Sequence, residues 1–224
     1  MFGLGAIFGG IVSAIGGAIG AIAGGIGSVL GGIGIAIAKI APMLGGIMSK
    51  IIAPVLQAFG MQVPENPQEL GLQMEKSDKK LEDFEDVDSY LKHLKENVPI
   101  DKKELENLSP ERQAELATKG VSLGLKAIEE KTGVAMPGEC VEVLGKISEG
   151  MEITANGMQM AAVLKNLATE GVKSMSEVSD YLKGANTIDP VKIGTALEKS
   201  LGNAGLSDPG KIIMDAKRAQ SLEL

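Results

Sequence analysis

Few side chains in this chain have the chemistry of catalysis or of metal binding. The 224 residues include one cysteine, Cys140, and one histidine, His93. One residue of each type cannot supply the ligands of the usual zinc sites, and a Cys or Ser nucleophile with a histidine partner would have to use His93 itself. We expect His93, which follows Lys92 in a charged stretch, to lie on a solvated helix face. Cys140 is expected to be a buried thiol, because a lone cysteine forms no disulfide within its own chain.

Acidic side chains are abundant and often adjacent, as in Glu82-Asp83, Glu85-Asp86 and Glu129-Glu130. Adjacent acids are typical of a solvated helix face, although a site built on carboxylates alone, of the glycosidase type, is compatible with the sequence. The chain contains no GxxxxGK[ST] phosphate loop, no GxGxxG after a strand, no HExxH and no CxxC. The sequence therefore predicts a protein that is not an enzyme and has no cofactor and no metal site.

Charge is distributed very unevenly along the chain. Residues 1–60 contain 16 of the 30 glycines, no acidic residue, and only Lys39 and Lys50 as charged side chains. The remaining residues carry 20 basic and 29 acidic side chains, a net charge of −9. Proteins that bind nucleic acid need a positive surface, so this balance argues against direct sequence-specific binding of nucleic acid.

The run from Met1 to Ala38 has no charged side chain and exceeds the ~20 apolar residues that span a bilayer as a helix. It fits a cleaved secretory signal poorly, because it lacks a basic start and is longer than the apolar core of about 7–15 residues in such signals. Aliphatic residues recur in it at a mean spacing of 3.67, which predicts one face of a helix and matches an 11-residue packing repeat. These residues, predicted to face lipid or the wall of a protein tube, are Ile7, Ile11, Ile15, Ile19, Ile22, Ile26, Leu30, Ile33 and Ile37, followed by Ile40.

Small residues recur at four-residue intervals beside this stripe and allow helix backbones to approach closely. The predicted helix-packing residues are Gly5, Gly9, Ser13 and Gly17, then Gly16, Gly20 and Gly24, then Gly27 and Gly31. The twelve glycines from Gly5 to Gly34 cost a helix on the order of 10 kcal/mol in water relative to alanine. A bilayer offsets this cost because it leaves the backbone no other hydrogen-bonding partner, and a close-packed bundle offsets it through contacts between the helices. We therefore expect a conditional helix that packs against copies of itself.

The predicted helix is too long for a single span. A helix over residues 2–40 would measure about 58 Å, against a hydrocarbon thickness of ~30 Å. It is expected either to bend into a hairpin at 24–25 or 31–32, or to run as a rod inside a protein assembly. The alternative is the buried central hairpin of an ordinary soluble fold.

A second apolar stretch, Met43–Phe59, directly follows Pro42 and contains Pro54. It is expected to lie at the membrane interface or to make a second short span. Lys39 and Lys50 are expected to mark the edge of the inserted region by extending their ammonium groups toward the headgroups, or else to be ordinary loop-boundary lysines.

Residues 61–80 contain prolines and glutamines without clear periodicity and are predicted to be a linker. Residues 81–224 are predicted to form an acidic helical domain, beginning with an amphipathic helix from Leu81 to Val98 that Pro99 ends. Signals for helix starts follow at Asp101, Ser109, Ser174, Asp189 and Asp208, and signals for helix ends at Gly120, Gly184 and Gly202. The predicted fold class is all-α: a long glycine-ladder apolar N-terminal helix or helical hairpin, followed by a bundle of short amphipathic helices.

A charge-free N-terminus rich in Gly, Ala and Ile, beginning Met1-Phe-Gly-Leu-Gly-Ala-Ile-Phe-Gly-Gly, followed by an acidic helical region, resembles the small ejection proteins, or internal virion proteins, of short-tailed bacteriophages. The resemblance is compositional and covers mainly residues 1–60. It implies a protein stored inside the virion with other virion proteins and delivered with the genome, whose apolar helices then form a homo-oligomeric conduit through the host cell envelope.

Two other classes of protein use the same features. A pore-forming toxin or bacteriocin-like effector would use the glycine ladder to permeabilise a target membrane. A scaffold or tape-like component would keep its apolar segment inside a protein tube and never contact lipid. If the chain is not a virion protein, it is expected to be membrane-associated.

Overall fold

The computed structural model describes residues 37–138, 140–150, 157–185 and 189–221. These residues are mostly helical and contain no strand, only an isolated β-bridge between Ala135 and Ser174. The predicted all-α class is therefore confirmed for the described part of the chain. The predicted long N-terminal helix or hairpin lies outside the described residues up to residue 36.

The helices follow one another with short connections. In chain order they are α1 Ile37–Ile47, a π turn Met48–Ile52, α2 Ala53–Ala58, α3 Pro67–Lys76, a 3-10 turn Leu81–Asp83, α4 Val87–Asn97, α5 Lys102–Glu106, α6 Pro110–Thr132, α7 Cys140–Gly150, α8 Gly157–Thr169, α9 Met175–Lys183, α10 Pro190–Asn203 and α11 Pro209–Ser221.

The first helix runs without a break from α1 through the π turn into α2, and we call residues 37–58 the apolar helix. Pro54 explains the π turn, because proline lacks an N–H group and its ring collides with the carbonyl four residues earlier. The backbone widens just before it, so that the Ala53 N–H donates to the Met48 carbonyl five residues back. The helix ends at Gly60, whose φ of 81° allows the Met61 N–H to reach the Leu56 carbonyl at 2.9 Å.

The predicted 61–80 linker is wrong for residues 67–76, which form α3. Asn66 caps this helix by accepting the Gln68 N–H, and Pro67 occupies its first position. Hydrophobic periodicity misses α3 because two of its buried residues, Gly71 and Gln73, are not hydrophobic. The Gln73 amide donates to the Leu94 and Val98 carbonyls at the end of α4.

The predicted boundary at residue 60 does not separate two cores. One hydrophobic cluster of buried residues extends from Ala41 in the apolar helix to Ala216 in α11. Cys140 is completely buried in this cluster, as expected. His93 differs from its predicted solvated position, since its side chain is only 14% exposed and its ring lies 5.1 Å from that of Phe84, centroid to centroid.

Most of the predicted helix ends are confirmed. Helices begin after the predicted caps Asp101, Ser109, Ser174, Asp189 and Asp208, and Gly184 ends α9 with a left-handed backbone. The predicted helix from Leu81 to Val98 is shorter, because the Asp86 carboxylate accepts the Ser89 N–H and starts α4 at Val87.

One predicted helix end is wrong, and another is displaced by one residue. Gly120 lies inside α6, where it is buried, and α10 ends at Asn203, one residue after Gly202. Glycine is favoured at a helix end that needs a left-handed residue, and also inside a helix where a neighbouring backbone approaches closely. The sequence alone does not distinguish these two roles.

Candidate functional site: the apolar helix and its cradle

The structure describes only the end of the predicted membrane segment. Ile37 and Lys39 lie in α1, and Lys50 lies in the π turn, where it is exposed. The predicted glycine ladder from Gly5 to Gly31, and the aliphatic stripe from Ile7 to Ile33, lie outside the described residues.

One face of the apolar helix is fully covered by the rest of the protein. Its fully buried residues, each with no exposed surface, are Leu44, Met48, Ile52, Val55 and Leu56. Among residues 41–58, the exposed ones are Pro42, Lys50, Gln57 and Ala58. Burial of a side chain of Leu, Ile or Met size contributes about 1.5–3 kcal/mol relative to exposure. Burial of this face is therefore the main force that holds the helix in place.

The same stretch of chain is long and apolar enough to cross a membrane. Residues Ala41–Ala58 form an 18-residue window with a mean hydropathy of 1.2, of which 44% is buried. The core helix of a soluble protein satisfies the same criterion. Most of the large apolar side chains that a membrane would cover are here buried in protein, and Met43 and Ile47 are partly buried.

Two helices, α6 and α8, form the surface that holds the apolar helix, and we call them the cradle. The contact with α6 is centred on Gly124, where an added Cβ would lie 2.6 Å from Ile52 Cγ2 and 3.7 Å from Met48 Sδ. The contact with α8 is made at Gly157, where a Cβ would lie 2.0 Å from the Pro54 carbonyl oxygen. The absence of a side chain at these two glycines thus allows the apolar helix to sit against both neighbours.

Behind the cradle, α3 and α6 touch backbone to backbone through a reciprocal pair of glycines. A Cβ on Gly71 would lie 2.1 Å from the Leu116 carbonyl oxygen, and a Cβ on Gly120 would lie 2.1 Å from the Pro67 carbonyl oxygen. Gly120 and Gly124 are four residues apart on α6, the same spacing as in the predicted N-terminal ladder. That spacing is the signal by which the sequence could have revealed this packing site.

Four charged side chains reinforce the contact between α3 and α6. Glu115 accepts hydrogen bonds from Arg112 Nη1 at 2.7 Å and from Lys119 Nζ at 2.8 Å, and both cations also pair with Glu75 of α3. Burial on its own would raise the pKa of Glu115, but the hydrogen bonds from Lys119 and Arg112 outweigh it and lower that pKa. For Lys119, burial would lower the pKa, and the two carboxylates outweigh it and raise that pKa.

A cavity of about 590 Å³ opens where the apolar helix ends, between Pro54 and Gln57 on one side and Gln73, Pro99 and Ile100 on the other. Within the described ranges, no three His, Cys, Asp or Glu side chains are placed together so that they could hold a metal ion. The apolar helix makes close contacts with its neighbouring helices. Glycines on α6 and α8 and aliphatic side chains on the apolar helix itself form these contacts.

Comparison with known proteins gives no match: no family, no curated protein and no solved structure is similar to this chain. Its function has to be inferred from its own residues.

Proposed function

We propose that this chain is a non-enzymatic structural protein that assembles through the glycine ladder of residues 5–31 and forms or lines a membrane-spanning conduit. The observation that carries the proposal is the charge-free run of residues 1–38, in which a helical aliphatic stripe and a four-residue glycine ladder occur together. Such ladders are the means by which helices associate in lipid, where no hydrophobic force drives them together.

The packing of α6 supports the proposal. This helix uses two glycines at the ladder's spacing, Gly120 and Gly124, to bring neighbouring helices into close contact. The N-terminal ladder repeats this spacing several times beside a continuous aliphatic stripe, so it offers the same kind of contact over a longer surface.

The setting we propose is phage genome delivery, from the resemblance of residues 1–60 to small ejection proteins. The chain would be stored in the virion interior with other virion proteins and would act in the host cell envelope. Its partners would be copies of itself, those virion proteins and the membrane.

A tape-like component that stays inside a protein tube is the second candidate. The observation in its favour is that one apolar face of residues 41–58, with Leu44, Met48 and Ile52, is covered by protein and not left to a lipid surface. The two candidates differ in whether the purified chain permeabilises lipid vesicles.

Dye leakage from vesicles tests the proposal. Leucines at Gly16, Gly20 and Gly24 should separate the helices and slow leakage about tenfold or more, equivalent to at least about 1.4 kcal/mol of association energy. The matched control places leucines at Ala14, Ala18 and Ala21, which lie on a different face of the same predicted helix. This control should leak like the unaltered chain, and both variants should keep the helical circular dichroism of the bundle.

Equal leakage by all three proteins would contradict assembly through the ladder. Absence of leakage from the unaltered chain would contradict the conduit and favour the tape-like component. Recovery of the chain from purified virions at a fixed copy number would distinguish an ejection protein from a secreted toxin.

A further inference from the structure

We propose that the cradle is an autoinhibitory clasp: α6 and α8 hold the apolar helix by the face that a membrane would otherwise cover, and membrane contact releases it. The inference rests on the proposed function, because release matters only if the N-terminal segment enters lipid. Release would add residues 41–58 to the apolar segment that precedes them.

The cradle and a membrane would compete for the same buried side chains of the apolar helix. Leu44, Met48 and Ile52 have no exposed surface in the clasped state, and the helix that carries them is long and apolar enough to span a bilayer. One face cannot pack on α6 and contact lipid at the same time. The clasped and inserted states of the helix are therefore mutually exclusive.

The chemistry of the contact lowers the cost of the exchange for the helix itself, although release uncovers the apolar faces of α6 and α8 and opens the backbone contact between Gly157 and Pro54. Apolar side chains that leave the cradle for hydrocarbon stay out of water, so the free energy of their burial is kept. Pro54 and the π turn before it are also compatible with a membrane, because transmembrane helices tolerate proline with local π geometry. Lys50, near the middle of residues 41–58, is the one charge that insertion would move. It is exposed in the clasped state, and the cost of placing it at the centre of a bilayer falls where its stem extends the ammonium group toward the headgroups.

The cradle has contacts that do not depend on the apolar helix. α6 is tied to α3 by the Gly71 and Gly120 backbone contacts and by the ion pairs of Glu75 with Arg112 and Lys119. These contacts lie between α3 and α6 alone. They would persist when the apolar helix leaves.

A disulfide across the clasp provides the test. A Cβ at position 124 would lie 2.6 Å from Ile52 Cγ2, and that methyl is about 1.5 Å from its own Cβ, so the two Cβ atoms are at most about 4.1 Å apart. Disulfides span a Cβ separation of about 3.5–4.5 Å. Ile52→Cys with Gly124→Cys therefore suits a disulfide, and the change at 52 also removes the methyl that would collide. Cys140→Ala removes the natural thiol.

The first measurement is the disulfide yield on oxidation, with and without vesicles of phosphatidylethanolamine and phosphatidylglycerol. We expect nearly complete bonding without vesicles and a yield at least about fivefold lower with them, because the helix has left the cradle. A control pair, Ala135→Cys with Ser174→Cys, joins two residues that are paired across a β-bridge and belong neither to the apolar helix nor to α6 and α8, and it should give the same yield in both conditions. A 52–124 yield that vesicles do not change would overturn the clasp.

The second measurement is dye leakage by the 52–124 protein, oxidised beforehand or reduced. We expect leakage at least about tenfold slower with the disulfide closed, and full recovery on reduction. Equal leakage with the disulfide closed would overturn the clasp and leave the proposed conduit standing. A vesicle-dependent fall in disulfide yield without leakage in either redox state would support the clasp and overturn the conduit.

Discussion

Two contacts of α6 each depend on a glycine that lets a neighbouring helix approach closely. They differ in which atoms of that neighbouring helix lie against the glycine. At Gly120 the neighbour is the backbone of α3, and charged side chains surround the contact. One turn later, at Gly124, the neighbours are the side chains of Ile52, Met48 and Leu56, and the contact is apolar.

The difference separates a permanent contact from an exchangeable one. A backbone that touches a backbone cannot move without disturbing both helices, whereas an apolar side chain over a glycine can be replaced by another apolar surface. The α3–α6 pair is therefore expected to be the stable framework of the bundle. The apolar helix has an exchangeable contact with α6 but a backbone contact with α8, where Gly157 lies against the Pro54 carbonyl, so we expect release to begin at α6.

The largest effect is expected where backbone meets backbone. Gly71→Ala or Gly120→Ala places a methyl group 2.1 Å from a carbonyl oxygen of the partner helix, so the two helices have to separate. Overpacking of this kind costs about 1–3 kcal/mol and sometimes more, and here the obstacle is rigid backbone. We expect a loss of about 2–3 kcal/mol in the free energy of unfolding, measured by urea denaturation.

Gly145→Ala is the matched control for both changes. Gly145 lies inside α7, and a Cβ there would meet no atom within 4 Å. Replacing a helical glycine by alanine in open space stabilises a helix by up to about 1 kcal/mol. The control should thus shift stability in the opposite direction, and a similar loss in all three variants would contradict the close backbone contact.

An intermediate effect is expected at the exchangeable contact. Gly124→Ala places a methyl 2.6 Å from Ile52 Cγ2, a side-chain atom that can shift with the apolar helix, so we expect a loss of about 1–2 kcal/mol in the free energy of unfolding. In an Ile52→Leu background the Cγ2 methyl is absent, and the same Gly124→Ala change should cost less. Denaturant titration of the four proteins gives the coupling energy, and strict additivity would mean that the two residues do not meet.

The part of the fold that local signals specify was predictable from the sequence. Asp189 before Pro190, and Ser174 three residues before Glu177, start helices where expected, because a cap and its helix are adjacent in the chain. The all-α class follows from the same signals together with the 3.6-residue periodicity of the apolar residues between them.

What the sequence did not predict depends on partners distant in the chain. Gly71 gains its role only from Leu116, and Gly120 only from Pro67. Gly71 has no local signal, and the four-residue spacing of Gly120 from Gly124 indicates close packing without indicating the partner. Hydrophobicity likewise does not tell whether Leu44 and Met48 are to be covered by lipid or by α6. The contacts of α6 and α8 with the apolar helix therefore cannot be predicted from local sequence, because they join residues that are distant in the chain.

The smallest effect is expected from the charges that reinforce the α3–α6 pair. The pKa of Glu115 is lowered from its ordinary 4.5 in the folded protein, so its ionised form contributes stability above pH 4.5, and that contribution is lost as the pH falls through the folded pKa. Because the Glu115 side chain is still 26% exposed and solvent screens its ion pairs, we expect Glu115→Gln to cost about 0.5–1 kcal/mol at pH 7. The difference in free energy of unfolding between Glu115→Gln and the unaltered chain should disappear between pH 4.5 and the acid limit of folding.

Glu198→Gln is the matched control, because it removes the same charge from an exposed position on α10. Its free energy of unfolding should stay close to that of the unaltered chain at every pH. Urea denaturation at a series of pH values checks the sign, and a difference for Glu115→Gln that stays constant into acid would mean that hydrogen bonding of the ionised carboxylate does not stabilise the contact between α3 and α6.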